Sequence, residues 1–219
     1  MKNKFLPIIL PIIIVSIGIF IAYRMILNNQ TLPIYNPAMI NPQLVDQSKK
    51  GVTKNHRIAN FSLINQEGEP FSQEDLEGKY YVTDFFFTTC PDICIDMSSQ
   101  LARVQKANIN REDFLIVSHT VMPEHDNPEV LKEYGESYGA NFKKWVFLTG
   151  DKAEIYNLAR KSYFAAVSEG DGGPDDFIHT ENFVLVDKEK RIRGFYDGTD
   201  SKSIDQLIKD IKILSRAYD

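Results

Sequence analysis

Two cysteines carry the clearest chemistry in this chain. Cys90 and Cys94 stand four residues apart in Cys90-Pro91-Asp92-Ile93-Cys94, straight after the apolar run Phe85-Phe86-Phe87. The pattern reads as a buried strand delivering Cys90 to the first turn of a helix, with Pro91 at the first helical position, where a missing N–H costs nothing. At i and i+4 the two thiols would share one helical face, with Cα atoms about 6 Å apart, inside the reach of a disulfide. The same face could offer two thiolates to one soft metal ion, and a helix N-terminus favours the thiolate form. An inert disulfide, a redox pair and a metal site are all open to these residues.

The elements that must hold the pair follow from periodicity. Tyr80-Tyr81-Val82-Thr83-Asp84-Phe85-Phe86-Phe87 is β-branched and aromatic with little alternation, which predicts a central strand covered on both faces. Asp84 inside it is either a carboxylate satisfied by backbone or a support for the cysteines. Ile93, Met97, Leu101 and Val104 recur at spacings of three and four, the stripe of a helix facing a core. Residues 114–117 and 145–148 predict two more buried strands. Asn127-Pro128 and Asp151 predict helix starts, and Gly139 a stop. A hairpin turning at Gly68 and a capping box from Ser72 to Asp75, closed by Gly78, precede the central strand. Residues 183–186 and 191–196 predict a late hairpin, followed by a helix carrying Ile204, Leu207, Ile211 and Leu214. The order implies an α/β fold, a sheet flanked by helices. There is no internal repeat and no glycine-rich phosphate loop.

Of the 219 residues, the stretch from Phe5 to Tyr23 carries no charge and is dominated by Ile, Leu, Val and Phe. An apolar run of about 18 residues or more is long enough to cross a bilayer. Lys2 and Lys4 place the short N-terminus in the cytoplasm. A cleaved signal peptide is the competing reading, but no small-residue cleavage pattern follows, and no cysteine lies near enough for a lipoprotein. The expected organisation is a cytoplasmic tip and single transmembrane anchor over 1–27, a polar Pro-containing tether over 28–56, and a globular domain over 57–219. The domain would lie on the extracytoplasmic side of the plasma (inner) membrane, where thiols can be oxidised. Without Lys2, Lys4 and Arg24 the chain has 22 basic and 30 acidic residues, a balance of −8. That argues against nucleic acid, and against an anionic lipid surface, as the main partner. The acidic stretch from Ser168 to Asp176 has no apolar anchor and predicts a mobile, solvated loop.

Five segments in register resemble the Sco (SenC) family. They are Cys90 to Cys94; Pro123 to Leu131, Pro-Glu-x-Asp-x-Pro-Glu-Val-Leu; Leu148-Thr149-Gly150; His179 to Asp187, His-Thr followed by Leu-Val-Asp; and Gly194 to Gly198. The resemblance spans roughly residues 57–214 and the N-terminal anchor. It implies a thioredoxin-like fold that binds copper through Cys90, Cys94 and His179. The function implied is delivery of copper to the copper-binding subunit of cytochrome c oxidase, or reduction of that subunit's cysteines. Two positions depart from the family pattern: Ile95 stands where Pro is common, and Met122 where Asp is usual.

Two thiolates and an imidazole suit Cu(I) in low coordination and Cu(II) with one further ligand. Zinc could use the same three groups plus water. His179 closes the acidic loop and opens a buried strand, a place from which a ligand could swing on and off. His119, at a strand end on the side where such a sheet carries its site, is a candidate support, whereas His56 and His125 read as exposed and inert. The alternative function is a thiol–disulfide oxidoreductase in which Cys90 attacks and Cys94 resolves. Its three-residue spacer is one longer than in the thioredoxin redox motif. A peroxidase of the same fold would need a base and an Arg around one cysteine, which nothing clearly supplies.

Overall fold

The computed structural model describes residues 6–28, 30–45, 49–166 and 176–218. A first helix, α1 (Leu6–Asn28), precedes the domain. The sheet is built from β1 (Ser62–Asn65), β2 (Pro70–Ser72), β3 (Tyr80–Phe86), β4 (Phe114–Thr120), β5 (Trp145–Thr149), β6 (Asn182–Val186) and β7 (Ile192–Asp197). Its helices are α2 (Ile93–Asn108), α3 (Pro128–Ser137), α4 (Lys152–Asn157) and α5 (Ser201–Arg216), and α4 runs on into a π turn, Leu158–Ser162.

The seven strands lie in the order β2-β1-β5-β4-β3-β6-β7. β3, β4 and β5 are parallel neighbours, and the other pairings are antiparallel. This is the mixed, helix-flanked sheet expected of a thioredoxin-like fold. All seven residues of β3 are buried, because it is central and both its faces are covered. Alternation along it divides the core. Tyr81 and Phe85 face a layer closed by α4, while Tyr80, Val82 and Phe86 face one closed by α2, α3 and α5. Local caps close as the sequence predicts: Ser72 and Asp75 form a capping box, and the Asn127 and Asp151 side chains accept from Val130 N and Glu154 N.

Some of the described residues between 30 and 56 lie against the domain. Tyr35 N donates to Ile192 O at 2.9 Å, Pro37, Ile40 and Val45 are buried, and the Arg193 guanidinium donates to the carbonyls of Leu32 and Pro33. Arg193 lies in β7 and also pairs with buried Asp187 at 2.9 Å, which holds the guanidinium in place to receive this segment. The apolar residues responsible are too sparse to form a period. His56, expected exposed, is buried, with Nε2 2.7 Å from Ser162 O and its ring 4.7 Å from that of Phe164.

The described side chains of α1, residues 11–22, are exposed, and none enters either core layer. Counting only described side chains, no helix is long and apolar enough to cross a membrane. Most of the stretch from Ser168 to Asp176 lies outside the described residues, and only Asp176 of it is placed.

Candidate metal centre

The cysteines follow the C-terminal end of β3, the strand whose two neighbours are reached in opposite directions along the sheet. Open α/β sheets collect ligands at such a point. Cys90 is not part of the helix. Its N–H donates to Phe87 O at 3.3 Å in a turn, Asp92 has φ −134° and ψ −109°, and α2 begins only at Ile93. The residue before a proline is steered away from helical backbone, so Pro91 holds Cys90 outside. Cys94 lies in the first turn of α2. The pair therefore does not share one regular helical face, yet both are buried free thiols, near enough that Cys90 disfavours the charge of Cys94.

Burial pushes the Cys94 thiol up to about 12, and Cys90 and Asp84 push it the same way against a backbone hydrogen bond from Phe87. The expected preference for thiolate is thus reversed at Cys94. Cys94 is the one buried residue in the first turn of α2, and its desolvation outweighs the helix dipole. A bound soft metal ion would reverse the balance, since a coordinating thiol gives up its proton.

Asp126 fastens the cysteine loop, a role invisible in the sequence. Its carboxylate is fully buried and accepts from Thr88 N (3.1 Å), Thr88 Oγ1 (2.6 Å) and Thr120 Oγ1 (2.5 Å). The half-exposed His125 ring sits 2.8 Å from the same carboxylate, so this histidine is engaged rather than idle. The carboxylate thereby ties the chain two residues before Cys90 to the end of β4. Tyr134 of α3 adds a second tie: its hydroxyl donates to Cys94 O at 3.4 Å and lies 2.7 Å from Ser98 Oγ.

Asp84 and His119 separate. Asp84 belongs to the cysteine side, where it accepts from Ser118 Oγ at 2.5 Å, and Ser118 accepts from Trp145 Nε1 at 2.8 Å. Burial lifts its carboxyl to about 7. His119 turns to the other layer, stacked on Phe85 with ring centroids 5.0 Å apart and flanked by Phe61 and Tyr163. Thr83 Oγ1 donates to Val117 O, so His119 Nδ1–H donates to Thr83 Oγ1 at 3.0 Å, and Nε2 is left without a partner. Burial holds this imidazole down to about 4. The candidate supporting role of His119 gives way to β4 alternation, which aims the ring into the opposite layer.

His179 is exposed between two buried neighbours, Ile178 and Thr180. Its ring centroid lies 6.5 Å from that of Phe87, three residues before Cys90. Among the described residues no group of three His, Cys, Asp or Glu side chains stands close enough to hold a metal ion. Copper coordination by all three would require His179 to close on the thiols. Its backbone is secured on both sides. Arg160 grips Asp176 through two hydrogen bonds of 2.5 and 2.6 Å, Tyr156 OH donates to Asp176 O, and Thr180 Oγ1 donates to Ala165 O. The freedom expected of a loop histidine is thereby narrowed to its side chain and the residues beside it.

A family model described as SCO1/SenC matches residues 49–216. The SCO1 protein homolog of Bacillus subtilis (strain 168) is 35% identical over 163 residues, covering 74% of this chain and 84% of its own length. BsSco, described as a member of the Sco family of cytochrome c oxidase assembly proteins in which a disulfide switch was identified, has a solved structure. It superposes with a TM-score of 0.63 at 35% identity, covering 74% of this chain and 94% of that one. Arabidopsis thaliana ScoI with copper bound gives a TM-score of 0.55 at 29% identity over 70% of this chain and 97% of that one.

Proposed function

Because the chain belongs to the SCO1/SenC family, we propose that it is a membrane-anchored copper chaperone serving cytochrome c oxidase. Copper is its cargo, Cys90 and Cys94 supply two sulfur ligands, and His179 supplies the third. The observation that carries this reading is the two buried free thiols that follow β3, with the His179 ring 6.5 Å from that of Phe87, three residues before Cys90. The donor set fits Cu(I), which accepts soft thiolates at low coordination number. Copper-bound ScoI of Arabidopsis thaliana and the oxidase-assembly role of BsSco support the same assignment. Transfer would exchange these ligands for those of the recipient protein, and an imidazole on the surface is the ligand first released.

We assign residues 1–27, which hold all of α1 but its last residue, to a single-pass anchor, with the domain of residues 57–219 outside the cytoplasm. An apolar helix whose described side chains pack against nothing in the domain needs another apolar environment. Residues 28–56 then form the link, part of it laid against the domain.

A second reading, thiol–disulfide exchange, is favoured by the thiol–thiol proximity and by the disulfide switch of BsSco. Cu(I) competition titration separates the two. Wild type should bind one Cu(I) tightly, Cys90→Ala should lose tight binding, and His179→Ala should bind at least tenfold more weakly. Unchanged affinity in both variants would eliminate the chaperone reading, because exchange chemistry does not need His179.

A further inference from the structure

The C-terminal half of α5 forms one wall of a cleft of about 530 Å³, within the range of roughly 300–1,000 Å³ usual for small-molecule sites. Lys209, Lys212 and Arg216 line it together with Gln206, and Gln30 and Thr31 also line it. Spacings of three and four put the three cations on one helical face. None of the three charged groups has a hydrogen bond or ion pair among the described residues. The two carboxylates of the helix already have partners: Asp205 pairs with Arg103 at 2.6 Å, and Asp210 accepts from the Tyr196 hydroxyl and from Gln206 Nε2 at the edge of the cleft. A helix C-terminus attracts cations in its last turn, which accounts for Arg216 but not for Lys209 two turns earlier. In a chain of net charge −5, three neighbouring cations with no internal partner form a surface made for an anion.

The position of the cleft identifies the anion. Gln30 and Thr31 follow α1, which ends at Asn28, so the cleft opens beside the point where the chain leaves that helix. We propose that it binds the phosphate headgroup of an anionic phospholipid, fixing how the domain sits on the membrane. The membrane part of this rests on the anchor reading. It refines the whole-chain charge argument: an acidic average hides a local basic face.

The test is native mass spectrometry of the full chain in detergent micelles, titrated with phosphatidylglycerol, phosphatidylcholine or inorganic phosphate. Phosphatidylglycerol should be retained over phosphatidylcholine. Each charge removed should weaken its binding about fivefold, so Lys209→Gln/Lys212→Gln/Arg216→Gln should bind roughly a hundredfold more weakly. The charge-conserving Lys209→Arg/Lys212→Arg/Arg216→Lys should retain the preference, which keeps the test decisive if the glutamine variant misfolds. Equal retention of both lipids, or an unaffected glutamine variant, would overturn the proposal. Inorganic phosphate binding as tightly as phosphatidylglycerol would make this a free-anion site and overturn the lipid assignment. Alkaline extraction of membranes tests the anchor by itself: release faults α1, whereas retention without lipid preference faults the cleft.

Discussion

Asp84 and His119 are buried on adjacent strands and titrate in opposite senses, so the pH dependence of stability should expose each when the other is removed. The Asp84 carboxyl moves from its ordinary 3.8 up to about 7 on folding, because burial disfavours its charge. Between those values the folded chain holds one proton more than the unfolded chain. The contribution of Asp84 is therefore greatest at low pH and declines as pH rises towards 7, at up to about 1.4 kcal/mol per pH unit. His119 moves from 6.5 down to about 4, also through burial. Here the unfolded chain holds the extra proton, so stability is fully present above 6.5 and is lost as pH falls towards 4, at the same limiting slope. Over the shared window the two slopes cancel.

Asp84→Asn, which keeps an acceptor for Ser118 Oγ, should make stability rise with pH relative to wild type by about 1.4 kcal/mol per unit, or roughly 3 kcal/mol from pH 4 to 6.5. His119→Asn, which places a donor near the Nδ1 position facing Thr83, should make it fall by a similar amount. The double variant should return to the wild-type profile. Urea unfolding of the metal-free, reduced protein at pH 4.5, 5.5 and 6.5 measures these differences. A cavity or a lost contact shifts a whole profile without changing its slope. Profiles of both single variants parallel to wild type would therefore refute the reasoning.

Asp126→Ala removes the acceptor of one amide and two hydroxyls, and should cost about 2–4 kcal/mol in urea unfolding. It should also speed amide exchange at Thr88, and unchanged exchange there would show that the carboxylate does not hold the cysteine loop. Arg160→Gln withdraws the two-pronged partner of Asp176, and should weaken Cu(I) binding several-fold in competition titration by loosening the approach to His179. Arg160→Lys should recover only part of that loss, because an ammonium cannot reproduce the fork. Full copper affinity in Arg160→Gln would separate the clamp from the metal site.

Much of the architecture was legible because its signals are local. The aromatic run of β3, the stripe of α2 and the caps at Ser72, Asn127 and Asp151 each depend on residues a few positions apart. The cysteine pair and His179 stood out by residue type and motif. What sequence alone determined is this inventory: which segments are strands and helices, and which side chains carry chemistry. Tertiary structure decided where those side chains face and what holds them. Nothing near Asp126 indicates that it will meet Thr88, 38 residues earlier. No local pattern shows that His56 is covered by Ser162 and Phe164, or that Arg160 will grip Asp176. Alternation puts successive side chains of a strand on opposite faces, but only the packed helices decide which face holds the cysteines. That assigns Asp84 to the cysteines and His119 to an aromatic box on the other side. The thiols themselves show the same division. Residue type made them reactive candidates, while the depth at which the fold sets Cys94 decides that it keeps its proton until something replaces it.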